Sequence, residues 1–154
     1  MAKYLFFDID GLLNSETWYK TYKPGNLEGQ DNDLDPKCIE RLNKICSETG
    51  AYLVMSSDWR YDFNCSCKRL YNAGLTGLII GRTEMSIFSP KELSRGKEIQ
   101  NWVDQNLTKD DQWCIIDDRI DMIPGQPFFK INWEVGLTDE DAEKVIKYFK
   151  DFES

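Results

Sequence analysis

Three short, unbroken apolar runs, YLFF at 4–7, AYLVM at 51–55 and WCII at 113–116, each stop abruptly on carboxylates or hydroxyls: Asp8 and Asp10, Ser56 and Ser57, Asp117 and Asp118. Runs of this length suit a strand, and continuous rather than alternating hydrophobicity belongs to a strand covered on both faces. Between them the hydrophobic period changes. Asp35-Pro36 offers a side-chain N-cap with proline at the first helical position, Ile39, Leu42, Ile45 and Cys46 then share one face, and Gly50 ends the helix. Residues 61–74, closed by Gly74, and a segment from Ser94 with Ile99, Trp102 and Val103 at helical spacing read as two more helices. Thr138, followed three residues on by Asp141, opens a last helix with Ala142, Val145, Ile146, Phe149 and Phe152 on its apolar face. Leu78 to Ile80 and FFKI at 128–131 are further strands. Such alternation predicts an α/β fold, a Rossmann-like three-layer sandwich whose mostly parallel sheet is covered by helices on both faces.

The chain of 154 residues has no linker, repeat or low-complexity tract and is expected to be a single domain, 1–154. Residues 15–35, with Pro24, Gly25 and Gly29, show no sustained period. They read as a long excursion with a hairpin around Pro24 and Gly25, either a flap or lid or a simply mobile loop, which leaves the fold at most a minimal cap. Trp18, Tyr19 and Tyr22 in it either touch a substrate or pack the loop. Residues 81–93 read as a second loop. No apolar run approaches a membrane span, and MAKYLFF runs straight into acidic residues, unlike a signal peptide, so the expected setting is soluble and cytoplasmic.

Composition removes several chemistries. There is no histidine, which excludes Ser-His and Cys-His nucleophiles and leaves Asp, Glu, Lys, Tyr or Cys as acid or base. The five cysteines, Cys38, Cys46, Cys65, Cys67 and Cys114, are odd in number with one tight pair, so no zinc site is expected and reduced thiols are. A net charge of -8, from 19 basic and 27 acidic residues, argues against holding long nucleic acid through many phosphates, while leaving room for a local pocket for one phosphate.

What remains is carboxylate chemistry at strand ends. In parallel sheets ligands bind beyond the carboxyl ends of the strands, where Asp8, Asp10, Ser56 and Asp117 would lie. Period-2 geometry puts Asp8 and Asp10 on one side of the chain, and Gly11 lets the backbone turn away. Two acids there call for a cation or a shared proton, and the second acidic strand end decides for the cation. Mg²⁺ fits: it takes oxygen ligands and is commonly held by one or two carboxylates plus a substrate phosphate.

In this pattern the chain resembles the haloacid dehalogenase (HAD) superfamily of phosphotransferases. The resemblance rests on FFDIDGLLN, YLVMSS, SRGKEI and CIIDDRIDM in the order of that family's four motifs, over residues 4–121. More narrowly, SSDWR, RGKEIQNWV, IIDDRIDM and GLTDEDA look like the small HAD domains associated with RNA repair proteins. The resemblance implies that Asp8 is the nucleophile forming an aspartyl-phosphate and Asp10 the general acid and then base. It implies that Ser56, with its neighbour Ser57, binds the phosphoryl oxygens. It makes Asp117 a metal ligand along with Asp8 and the backbone carbonyl of Asp10. The third motif usually has Lys, and here Arg95, Lys97 or Lys91 takes that place; Asp118 or Asp121 assists the metal. Arg60 is either a second phosphate contact or a helix-surface salt bridge.

The activity implied is that of a Mg²⁺-dependent phosphomonoesterase, with a polynucleotide 3'-phosphatase in nucleic-acid repair as its narrower form. A phosphatase of small nucleotides or sugar phosphates is the rival within the class. A non-catalytic metal-binding interaction module is the rival outside it.

Overall fold

A computed structural model describes residues 1–21, 33–85 and 93–152. Five strands, β1 (Lys3–Phe7), β2 (Tyr52–Met55), β3 (Ile79–Arg82), β4 (Gln112–Asp117) and β5 (Phe128–Lys130), form one wholly parallel sheet in the order β3-β2-β1-β4-β5. The three unbroken apolar runs supply its three central strands. The helices are α1 (Glu16–Thr21), α2 (Pro36–Thr49), α3 (Phe63–Asn72), α4 (Arg95–Asn106) and α5 (Asp139–Asp151).

Strand alternation divides the core in two. Leu5 and Phe7 join Leu42 and Ile45 of α2 and Val145 and Phe149 of α5 on one side of the sheet. Phe6 points the other way, to Val54, Ile115 and Ile99 of α4. There its ring meets Trp102 and Trp113 edge-on, with centroids 5.5 and 5.6 Å away. Leu5, Phe6 and Phe7 have no solvent exposure. Each such side chain contributes roughly 1.5–3 kcal/mol, which is why the buried half of β1, Leu5 to Phe7, is apolar throughout. This is the expected three-layer sandwich.

The helix ends follow their signals. Asp35 accepts from the Lys37 amide, and Gly50, at φ 73°, closes α2. Thr138 and Asp141 form a reciprocal capping box at α5, and Ser94 caps α4 by accepting from the Lys97 amide.

Three stretches differ from expectation. Residues 16–21, read as part of an irregular excursion, form the helix α1. Six residues are too few for a helical period to show, and α1 is held from outside. The Glu16 and Thr17 amides donate to the Trp133 and Glu134 carbonyls, and the Ser15 hydroxyl accepts from the Trp18 amide. The helix expected over 61–74 begins earlier, as a 3₁₀ segment at Asp58–Asp62 capped by Ser57, before α3. Strand β3 lies one to two residues beyond Leu78 to Ile80, because pairing with β2 shifts register between Leu53 and Val54. On this edge strand Ile80 is half exposed, so hydrophobicity does not fix the boundary. The hairpin around Pro24 and Gly25, Tyr22, Gly29 and Lys91 lie outside the described residues.

Topology creates the site. The chain steps outward from β1 to β2 to β3, then α4 carries it back over the sheet to β4 on the other side of β1. The strand order therefore reverses beside β1, which is where a ligand crevice opens in such sheets. Register does the rest: Phe7 is level with Met55 of β2 and Ile116 of β4. Their successors Asp8, Ser56 and Asp117 leave the sheet at one height.

Candidate active site

Asp8 and Asp117 are buried and Asp118 is half-buried, and each offers a carboxylate oxygen within 4.8 Å of the others. Among the described residues Arg95 enters this group. Arg95, the first residue of α4 and itself buried, places Nη1 3.0 and 3.3 Å from the two Asp117 oxygens and 3.3 Å from Asp8 Oδ1, while Nη2 reaches Asp58 at 3.3 Å. A guanidinium at a helix N-terminus is opposed by the helix dipole. The opposition is met by Asp121, whose carboxylate accepts from the Arg95 amide at 3.0 Å.

Burial governs the titration here. It pushes Asp8 up, as do the Asp117 charge and a hydrogen bond with Asp118, to about 9 against the pull of Arg95. Burial likewise raises Asp117, opposed by Arg95. For Arg95 the penalty of burial is outweighed by Asp117 and Asp8, so the guanidinium stays charged. Three clustered carboxylates against one guanidinium leave a surplus of negative charge that a proton or a divalent cation can balance.

Asp10 stands apart from this cluster and is exposed. Its carboxylate is nonetheless fixed: Asn14 Nδ2 donates to Oδ1 at 3.0 Å and Trp59 Nε1 donates to Oδ2 at 3.1 Å. Asn14 Oδ1 also accepts from the Gly11 amide at 2.9 Å, so one side chain pins both the turn and the acid. Gly11 is required there, with φ at 83° and a Cβ that would collide with the Asp118 carboxylate. Ser56 is fully buried, and its hydroxyl donates to the Phe7 carbonyl at 3.2 Å. The Ser57 hydroxyl accepts from the Trp59 amide at 3.2 Å.

Of the sequence candidates, Asp8, Asp117, Asp118 and Arg95 come together, with Asp10, Ser56 and Ser57 around them. Three others go elsewhere. Lys97 is exposed, because two residues along a helix turn it roughly 200° away from Arg95. Asp121 is occupied at the start of α4 and by Arg119, whose Nη2 lies 2.8 Å away. Its carboxyl is held low, since the Arg95 amide and the Arg119 charge together overcome the upward push of burial. Arg60 forms no surface bridge but a buried one. It is buried, with Nη2 2.8 Å from Glu98 Oε1, and Nη1 donates to Thr83 Oγ1 at 3.1 Å and to the Ser56 carbonyl. That bridge ties the SSDWR loop to α4, three residues along from Arg95.

Sequence reasoning gave no part to Asn14, Trp59, Asp58 or Glu98. The first three sit inside the motif stretches FFDIDGLLN and SSDWR, and that proximity was the available signal. Glu98 carried none beyond its position in RGKEI.

A family model described as the HAD domain in Swiss Army Knife RNA repair proteins matches residues 4–142. The chain belongs to that family. Among solved structures, that of the Pnkp1/Rnl/Hen1 complex contains a chain with a similar fold, at TM-score 0.56 and 15% identity, over 86% of this chain and 46% of that one. This HAD domain thus spans less than half of its structural neighbour, and at that identity the likeness concerns the fold alone. Among curated proteins none matches.

The donor set of the domain suits the Mg²⁺ typical of HAD domains: hard carboxylate oxygens in a buried group with surplus negative charge. Asp8, Asp117 and Asp118 are the residues that could hold it. The cysteines offer no competing soft site among the described residues. Cys38, Cys46 and Cys114 are buried core thiols, and all five are unpaired with one another. No helix among the described residues is long and apolar enough to cross a membrane.

Proposed function

We propose that this HAD domain is a Mg²⁺-dependent phosphomonoesterase acting through an aspartyl-phosphate on Asp8, with the phosphorylated end of a nucleic acid as its substrate in repair. The observation that carries the reading is the division between two kinds of carboxylate at one sheet edge. Asp8 and Asp117 are buried beside Asp118 and Arg95, whereas Asp10 is exposed at the mouth with its orientation fixed by Asn14 and Trp59. A nucleophile and a proton carrier need those two settings.

In the first step an Asp8 carboxylate oxygen attacks phosphorus, the bond to the leaving oxygen breaks, and Asp10 gives that oxygen its proton. In the second, Asp10 takes a proton from water, whose oxygen attacks the same phosphorus. The acyl phosphate breaks there, releasing inorganic phosphate and restoring the Asp8 carboxylate. Arg95 offsets phosphoryl charge, and Ser56 and Ser57 hold phosphoryl oxygens. Bound Mg²⁺ supplies charge neutralisation of the phosphoryl group and keeps Asp8 ionised. The family description supports a repair substrate, and a small nucleotide or sugar phosphate is the alternative.

The test is release of inorganic phosphate from an aryl phosphate and from a 3'-phosphorylated oligoribonucleotide. Mg²⁺-dependent turnover is expected, and EDTA should abolish it. No turnover of either, nor of any nucleotide, would overturn the proposal in favour of a non-catalytic metal-binding module.

Metal binding has its own readout. With Asp8 and Asp117 raised above their unfolded value of 3.8, the contribution of these two groups to the stability of the metal-free fold is fully present below that value. It declines as pH rises towards about 9. Mg²⁺ binds the ionised carboxylates, so the gain in Tm on adding it should be larger near about pH 8 than near about pH 5.5. Equal gains at both pH values, or none, would remove these carboxylates as ligands.

A further inference from the structure

We propose that the pocket beside the Asp10–Gly11 turn seats one nucleoside, the one that carries the phosphate, with its base against Trp133 and Tyr19. The proposal rests on the phosphomonoesterase reading and names what that site recognises. The pocket has a volume of about 650 Å³ and is lined by Asp10, Asn14, Tyr19, Lys20, Asp118 and Trp133, among others. It shares Asp118 with the carboxylate cluster and is bordered by Asp10, so it opens directly beside the proposed phosphate site.

Its walls are held in place. Trp133 follows β5, at the same carboxyl edge as Asp8. Its carbonyl accepts from the Glu16 amide at 3.2 Å, and the next carbonyl, of Glu134, accepts from the Thr17 amide at 3.0 Å. Gly11 brings the indole in closely, since a Cβ there would lie 3.1 Å from Trp133 Cβ. Trp133 is 51% and Tyr19 48% exposed, and among the described residues neither ring packs against another aromatic. Two half-exposed aromatic rings without an aromatic partner among the described residues, on backbone tied at the edge of the carboxylate site, suit a flat heterocycle, whose π-face stacks without regard to sequence.

Charge sets how much more of the substrate the pocket accepts. Lys20 is its basic residue, and Nζ lies 2.6 Å from Glu16 Oε1, while Asp10, Glu16 and Asp118 are acidic. Such a lining disfavours a second phosphate inside it, so the pocket takes one nucleoside and the rest of any polymer leaves into solvent. The chemistry is shared by a free mononucleotide and by the last nucleotide of a strand.

The experiment compares wild type, Trp133→Ala and Trp133→Phe on three probes: a nucleoside 3'-monophosphate, the ribose 3-phosphate lacking a base, and a 3'-phosphorylated decanucleotide. Kd is measured without metal by calorimetry, and kcat/KM with Mg²⁺. Trp133→Ala should weaken the two base-carrying probes about tenfold to a hundredfold, leave the base-less probe within about twofold, and be rescued in large part by Trp133→Phe. Equal loss on all three probes, or no loss on any, overturns the proposal. A decanucleotide that binds as the mononucleotide does confirms the single-nucleoside limit, and one bound more than about tenfold tighter overturns that limit. Because Kd needs no turnover, an inactive protein that still shows base-dependent binding would sink the phosphatase reading and keep the pocket. An active one without base dependence would do the reverse.

Discussion

Asp8→Asn is expected to lower kcat/KM by at least about a thousandfold while raising the stability of the metal-free protein. The two effects have one cause. The amide matches the carboxylate in shape but cannot attack phosphorus, so the step that forms the acyl phosphate is lost. It also carries no charge, in a place where burial and Asp117 already push the carboxyl up to about 9. The wild-type carboxyl must take up a proton to be buried there, which costs stability above its unfolded value of 3.8, whereas the amide needs none and leaves Arg95 to Asp117. Thermal unfolding in EDTA should therefore show a higher Tm for the variant, and the gain from Mg²⁺ seen in wild type should shrink. Near-wild-type turnover by a folded variant would remove Asp8 as the attacking group. An inactive variant with a lowered Tm would instead mean that Asp8 acts through the fold.

The second large effect lies beneath the site. Glu98→Ala should destabilise the domain by about 3–5 kcal/mol, because it leaves the buried Arg60 guanidinium without its carboxylate. For a chain of this size that is a fall in Tm of roughly 10 °C. The Arg60→Met, Glu98→Met pair should recover most of the loss, since apolar side chains of similar length satisfy a buried site without desolvated charge. Urea unfolding of the two single variants and the double closes the cycle. If the double variant is as unstable as the singles together, the two residues act independently and the bridge is not what holds the SSDWR loop to α4.

How much of this could be read from the chain depended on whether the signal was local. β1, β2 and β4 were legible because a strand buried on both faces must be apolar throughout, and α2, α4 and α5 because Asp35, Ser94 and Thr138 cap in the way their side chains allow. The convergence of Asp8, Ser56 and Asp117 followed from parallel topology alone. Choosing among near neighbours did not. That Arg95 and not Lys97 reaches Asp117, and that Asp118 and not Asp121 joins the carboxylate cluster, depends on which way a side chain leaves a helix or loop. Arg60 depended on Glu98, many residues away and silent by itself. Helix α1 had too few residues to show a period, and Trp133 lines the pocket beside the Gly11 turn through a loop tied to Glu16 and Thr17, far away in the chain.

The position of β1 in the sheet has a consequence for how the protein is made. Among the five strands it comes first in the chain, yet one of its two neighbours, β4, begins only at Gln112. Until then β1 can pair with β2 alone, its other edge is open, and Asp8 waits for Asp117 and the cation that α4 carries between them. Pairing over so long a stretch of chain is slow, and an unpaired apolar edge is a template for association with other chains. A nascent chain stalled before Gln112 would expose that edge, and the same event that closes it, the arrival of β4, is the one that assembles the carboxylates.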